Sequence, residues 1–331
     1  MKIAFLHGPA QFNRDLFPEL SAKLPRHELL PWTRGDKSPD RDIEVLLVSG
    51  EVTRAQMASQ TKLALIQTVS AGYEGIDIDA ANDLGIWVSF SPSGATGNAV
   101  SVAEFAVLLM LGASRHLNQA ARLRDHSADP PGMRPAMSGK TVCIVGLGSI
   151  GRLLVDRLRP FGMRMLATDP HPERVPDDVK AFSSEQLHTA VTEADYVVVC
   201  ARAGKDNENL IDKITMQAMK RGAILINVAR GSLIDEEALY DSVKSGQISA
   251  AGLDVLKTPP GAKNPLFDLP QILITPHIAG TTDLTLHGTF DYIKQVIDEF
   301  AVGEKPQSVL NAPAQPRRPL RVLPPERDKR A

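Results

Sequence analysis

Cysteine is nearly absent from this chain. Only Cys143 and Cys200 occur among its 331 residues, and both sit inside apolar runs that read as buried strands. Two such positions are read as core packing rather than as a disulfide, a metal site or a nucleophile, which suits a reducing compartment. An excess of one charge is also missing: 37 Lys and Arg face 39 Asp and Glu, a formal net charge of −2. No whole-chain field therefore favours nucleic acid or an anionic membrane as a partner. The longest apolar run, residues 105–113, is too short to span a bilayer and is bracketed by Glu104 and Arg115. The first residues open as a strand and show no signal-peptide pattern. No internal repeat has a sharp period. The expectation is a cytoplasmic protein without membrane, nucleic acid or metal, long enough for about two domains.

What is present is alternation. Short apolar strands are expected at 3–6, 44–48, 65–69 and 86–89, with helices at 12–24, 54–60 and 78–84 between them. A long helix is expected over 98–117 and a Pro- and Gly-rich connection over 125–138. A second set of strands follows at 141–145, 163–168, 196–200, 223–228, 250–253 and 272–275, closed by a long helix over 283–302. The tail from 304 to 331 is rich in Pro and Arg and reads as having little structure of its own. Strands alternating with helices imply parallel sheets covered on both faces. Two long helices flanking the second set imply that it is inserted into the first. The boundaries are 1–98 with 285–331 for one domain and 99–284 for the other.

The segment 141–151, TVCIVGLGSIG, gives the second domain its chemistry. A strand runs into Gly146, Gly148 and Gly151, an amphipathic stretch follows, and a second strand ends at Asp169, eighteen residues beyond the third glycine. Strand, glycine turn, helix, strand and acid in that order form a dinucleotide-binding fingerprint. Gly146 permits the tight turn, Gly148 lets the backbone approach a pyrophosphate, and Gly151 lets helix and strand pack closely. The free N–H groups at the helix start face the negative charge. Both domains are then read as α/β, Rossmann-like or flavodoxin-like, with the active site in the cleft between them at the carboxyl ends of the strands.

Two further strand ends narrow the reading. Residues 226–235 carry Arg230 at the end of an apolar strand, before a helix starting near Asp235. A guanidinium there can bind a carboxylate in two places, as in a 2-hydroxy or 2-keto acid, or merely cap a strand at the surface. Residues 273–280 carry His277 at another strand end, followed by small residues. Histidine is the side chain best matched to moving a proton near pH 7, although a histidine after proline can equally be structural.

The ordered set of an Ala-Gly loop at 69–77, Asn98 with 101–104, GLGSIG, NVARG, AGLDV at 251–255 and TPHIAG resembles the D-isomer-specific 2-hydroxyacid dehydrogenase family across almost the whole chain. The resemblance implies an NAD-dependent oxidoreductase that interconverts a D-2-hydroxy acid and its 2-keto acid, as a homodimer formed through the cofactor domain. It implies Arg230 as carboxylate anchor and His277 as acid/base, with the backbone at Ala71 and Gly72 holding the substrate carboxylate. Ser149 and Ile150 would give N–H groups to the pyrophosphate, and Asp254 would bond the nicotinamide carboxamide. Cys200, Val228, Ala229 and Gly280 would line the cofactor site. Asp169 would accept from the ribose diol and repel a 2′-phosphate, favouring NAD over NADP, with His171 and Arg174 as basic neighbours. Two segments depart from the family pattern. Pro259 stands where the glutamate that pairs with the catalytic histidine is expected, which should weaken turnover without abolishing it. Residues 201–209, ARAGKDNEN, replace a Pro-Leu-Thr type of loop. Two other readings stay open: a formate-dehydrogenase-like enzyme using Asn98, and a dinucleotide-binding regulatory protein that has lost catalysis.

Overall fold

The computed structural model describes residues 1–9, 11–121, 132–259 and 261–322, apart from the side chains of 11–15. The expected connection at 125–138 lies partly, and the tail beyond 322 wholly, outside them. Contacts divide the chain into two compact units, Met1–Asn98 with Asp283–Ala331, and Ala99–Thr282. The first stretch of unit 1 runs β1 (Lys2–His7), α1 (Gln11–Lys23), β2 (Glu28–Thr33), β3 (Val45–Val48), α2 (Arg54–Ala58), β4 (Leu65–Thr68), α3 (Ile78–Asp83) and β5 (Trp87–Ser89). Then come α4 (Asn98–Ser114), α5 (Leu117–Ala120), β6 (Thr141–Val145), α6 (Ser149–Leu158), β7 (Arg164–Thr168), β8 (Lys180–Phe182), α7 (Leu187–Thr192), β9 (Tyr196–Val199), α8 (Lys213–Ala218), β10 (Ala223–Asn227), α9 (Glu236–Lys244), β11 (Ile248–Leu253) and β12 (Ile272–Ile274). The helix α10 (Asp283–Ala301) returns the chain to unit 1.

Both sheets are parallel and buried on both faces, which is why their strands read as continuous apolar runs. Unit 1 has the order β2-β1-β3-β4-β5. Within β1, Ala4 and Leu6 pack with Met57, Ala80 and Ala81 on one face, while Ile3 and Phe5 pack with Leu20, Phe290 and Ile293 on the other. Unit 2 has the order β12-β11-β10-β9-β6-β7-β8. There Val142 and Ile144 of β6 face α4 and α6, and Cys143 and Val145 face the cluster that holds Leu187, Met216 and Leu239. Each fully buried side chain of this kind contributes on the order of 1.5–3 kcal/mol, so the strands carry the stability. Gly252 in β11 lets α4 approach the sheet, since a Cβ there would lie 2.9 Å from the Leu109 Cβ. The chain winds outward from β6 through β7 and β8, then restarts at β9 on the other side of β6. That reversal makes the carboxyl edge between β6 and β9 a ligand-binding point.

Four of the differences from the sequence expectation have a physical reason on view. The strand β2, which was not expected, contains Pro31; it lies at the sheet edge, where a missing N–H is tolerated. The strand β8 has three residues at an edge of the unit 2 sheet, too few to show a period. The helix expected over 98–117 stops at Ser114, whose hydroxyl donates back to the Met110 carbonyl, and His116 turns left-handed at φ 50° before α5 begins. The tail from 304 is the fourth. Its described part is a strap fixed to unit 1 by backbone partners: Arg317 Nη1 donates to the carbonyls of Gln60 and Leu63, Asn311 Oδ1 accepts from Val88 N, and Trp87 Nε1 donates to the Arg318 carbonyl at 2.8 Å.

Candidate active site

The glycine turn follows β6. Gly146 adopts φ +94°, its N–H donates to the Thr168 carbonyl, and a Cβ there would lie 2.6 Å from the Ala201 Cα. A Cβ on Gly151 would sit 2.3 Å from the Gly146 carbonyl oxygen, so this glycine sets the approach of α6 to the turn. Gly148 differs: a Cβ there would meet nothing within 4 Å. Among the described residues that side of the turn is open, which leaves room for a ligand to approach the backbone. Gly148 caps α6 without a side-chain hydrogen bond, so the first N–H groups of the helix, at Ser149 and Ile150, point out with the positive end of the helix dipole. Asp169, at the end of β7, is tied into the same corner. Its Oδ2 accepts from Leu147 N at 2.7 Å and its Oδ1 from His171 N at 2.9 Å. An open cradle, uncapped donors and an acid fixed beside them fit a dinucleotide with a free ribose diol.

Glu173 adds a feature the sequence reading did not weigh. Its Oε1 lies 3.4 Å from His171 Nδ1 and 3.5 Å from Arg174 Nε, so both basic neighbours of Asp169 face an acid. Beyond β9, Cys200 is half-buried against the apolar cluster of α4 and α6. Burial pushes its thiol, like that of Cys143, up to about 12, so neither is a thiolate near neutrality.

The three strand ends of β10, β11 and β12 are linked like rungs. Asp254 N donates to the Asn227 carbonyl, Thr275 N to the Leu253 carbonyl, and His277 N to the Asp254 carbonyl at 2.9 Å. Each outer turn is organised by one buried polar side chain. Asn227 is fully buried; its Oδ1 accepts from Ala229 N and its Nδ2 donates to the Arg230 carbonyl at 2.9 Å, shaping the turn that carries Arg230. Val228 and Ala229 are buried within it, and the half-buried Arg230 donates through Nη1 to the Ala229 carbonyl. Asp254 is 1% exposed. Its Oδ1 accepts from Thr275 Oγ1 and Ile278 N, and its Oδ2 from Ala279 N. This carboxylate thus folds the 275–279 turn, in which His277 stands exposed at φ +57°. Left-handed backbone is costly for histidine, and the three bonds to Asp254 hold it there. Gly280 closes the turn, half-buried. Among the described residues the His277 imidazole makes no hydrogen bond, and Pro259 is exposed. Asn227 and the holding role of Asp254 were missed because a buried acceptor of backbone N–H groups leaves no spacing signature; the Asn of NVARG was its only trace.

The two departing segments meet. Lys257 Nζ lies 2.8 Å from Glu208 Oε1, a pair that raises the lysine pKa and lowers that of the glutamate. In unit 1, Ala71 and Gly72 follow β4 in a loop set by Thr68 Oγ1, which donates to the Ser70 carbonyl, and by Ser70 Oγ, which donates to the Gly72 carbonyl. Among the described residues neither Ala71 N nor Gly72 N donates a hydrogen bond. Asn98, half-buried, is the first residue of α4. Also among them, no group of three or more His, Cys, Asp or Glu could hold a metal, and no helix is long and apolar enough to cross a membrane.

Comparison with known proteins agrees with this geometry. Residues 107–279 match the family model described as D-isomer specific 2-hydroxyacid dehydrogenase, NAD binding domain. A D-3-phosphoglycerate dehydrogenase of Methanocaldococcus jannaschii is 32% identical over 93% of this chain, which spans 58% of that longer protein. A glyoxylate reductase of Thermococcus kodakarensis is 30% identical over 91% of this chain and 90% of its own length. Among solved structures, an NADPH-dependent glyoxylate/hydroxypyruvate reductase of Sinorhizobium meliloti, in complex with NADP and malonate, superposes with a TM-score of 0.81 at 25% identity, covering 97% of this chain and 99% of that one. The glycine cradle, the linked strand ends and these likenesses together place the chain in the D-isomer-specific 2-hydroxyacid dehydrogenase family.

Proposed function

We propose that the protein interconverts a D-2-hydroxy acid and its 2-keto acid, with NAD as the dinucleotide. The observation that carries this reading is the linkage of β10, β11 and β12 at their carboxyl ends, with Arg230 and His277 on turns each built around a buried polar side chain. Unit 2 would hold the dinucleotide through the N–H groups of Ser149 and Ile150 and the Asp169 carboxylate. When bound, the dinucleotide would supply the hydride for reduction of the keto acid and accept it in oxidation of the hydroxy acid. Arg230 anchors the substrate carboxylate with its planar fork and polarises the carbonyl. His277 donates a proton to the carbonyl oxygen in reduction and accepts one from the hydroxyl in oxidation. Among the described residues the imidazole has no carboxylate partner, and its orientation comes from the backbone of its own turn. Among the described residues the N–H groups of Ala71 and Gly72 donate no hydrogen bond, which supports the reading of this loop as a carboxylate contact. Asp169 and Glu173 support a preference for NAD over NADP, since both oppose a 2′-phosphate.

A screen of 2-keto acids with NADH and NADPH side by side tests the reading. Turnover with NADH is expected for at least one acid, and Arg230→Ala should abolish it while leaving NADH binding intact. Tight NADH binding with no turnover of any 2-keto acid would favour a regulatory protein instead.

A further inference from the structure

The loop that lost the family's glutamate is not loose, because a different carboxylate takes hold of it. Glu236 is the first residue of α9, just beyond the turn that carries Arg230. Its Oε1 accepts from Lys257 N at 2.5 Å and Thr258 N at 3.2 Å, and its Oε2 accepts from Thr258 Oγ1 at 2.6 Å and Asn264 Nδ2 at 2.8 Å. Asn264 is itself buried, bonded to Thr258 Oγ1 and capping the next turn by accepting from Leu266 N. Four donors from three residues of one loop thus converge on one half-buried side chain.

That loop is also the wall against which the arginine turn rests. A Cβ on Gly231, the residue after Arg230, would lie 1.9 Å from the Leu256 carbonyl carbon and 2.2 Å from Lys257 N. The two backbones touch, so displacement of residues 256–257 frees the turn and retraction of the turn frees the loop. The departing segment 201–209 closes the third side. Glu208 pairs with Lys257, and Asn209 N donates to the Ser232 carbonyl at 2.8 Å. Deleting the Glu236 carboxylate removes the acceptor of two backbone N–H groups at the contact point, whereas the Glu208 pair is exposed and worth little on its own.

We propose that Glu236 is a positioning residue for substrate binding: by stapling Lys257, Thr258 and Asn264 to α9 it holds the Leu256–Lys257 backbone against Gly231 and so fixes where Arg230 presents its guanidinium. The proposal rests on the reading of Arg230 as the carboxylate anchor. It assigns the ordering of this loop to Glu236, in a chain whose Pro259 offers no carboxylate.

Two measurements test it, one independent of turnover. Hydrogen exchange on the full chain should show Glu236→Ala accelerating the amides of Lys257 and Thr258 together with those of residues 230–233, with β6 and α6 unchanged. Steady-state kinetics with the 2-keto acid that the wild type turns over fastest should show KM raised about tenfold. In the same variant kcat should fall less than threefold and the NADH dissociation constant should stay within about twofold. Glu236→Gln keeps the Oε1 acceptor for both backbone N–H groups and should recover most of the affinity. Should Glu236→Ala fail to fold, Asn264→Ala, which removes one of the four donors, should show the same pattern at smaller amplitude. The proposal is overturned if exchange rises only in residues 257–264 while 230–233 stay protected, or if KM is unchanged in a folded Glu236→Ala. Absence of turnover in the wild type would instead defeat the proposed function and leave the exchange result to decide the staple.

Discussion

The glycine turn after β6 is shaped by what its residues lack, whereas the histidine turn after β12 is shaped by a buried acid. At Gly146 and Gly151 the missing side chains let backbone meet backbone at distances no Cβ would permit. At 275–279 the chain is bent instead around Asp254, which accepts two backbone N–H groups and a hydroxyl and leaves His277 in a left-handed conformation. The first solution suits a ligand that must come close to the main chain. The second suits a side chain that must be aimed. One edge of one sheet uses both, and under the proposed function the contrast separates binding from chemistry.

Substitutions should split along that line. The largest loss is expected for His277→Ala, where kcat for reduction should fall by roughly 10²–10⁴ with the NADH dissociation constant almost unmoved; a kcat near wild type would remove His277 from the proton path. Gly146→Val should do the reverse. Its left-handed backbone and the Ala201 contact exclude a branched side chain, so fluorescence titration should show NADH affinity down by about a hundredfold or more, together with a lower Tm. Asp254→Asn tests the comparison most sharply. The amide cannot accept from all three donors, so kcat should drop by about ten- to a hundredfold while NADH affinity holds. If NADH affinity falls instead, Asp254 acts through the nicotinamide carboxamide rather than through the histidine turn. The smallest effect belongs to the rim of the cradle. Glu173→Gln should tighten NADPH relative to NADH by roughly three- to fivefold, as expected when an exposed acid stops opposing a phosphate; an unchanged ratio would assign selectivity to Asp169 alone.

The features legible in the sequence were those that repeat or exclude. Among the described residues, apolar runs gave ten of the twelve strands, because parallel strands buried on both faces cannot hide their composition. GLGSIG was legible because only glycine fits the contacts at Gly146 and Gly151. The remainder depends on single polar groups meeting backbone. The strap of residues 304–322 has the composition of a solvated tail, yet Arg317 and Asn311 find carbonyl and N–H partners in unit 1 that no local pattern announces. Asn227 and Glu236 sit in segments that were read for their neighbours, Arg230 and Asp235. Pro259 was read as a loss, and the loop around it proves to be secured from α9.

The empty space beside Gly148 has a use of its own. Gly146 and Gly151 are packed against backbone, so their variants would disturb folding and binding at once. Gly148 has φ −71°, ordinary for any residue, and a methyl group there would touch nothing. Gly148→Ala should therefore melt like the wild type yet crowd the phosphates, yielding a native chain that is blind to its cofactor. Such a variant is the natural reference for deciding which later motions, stabilities or associations of this protein belong to the fold and which arrive with the dinucleotide.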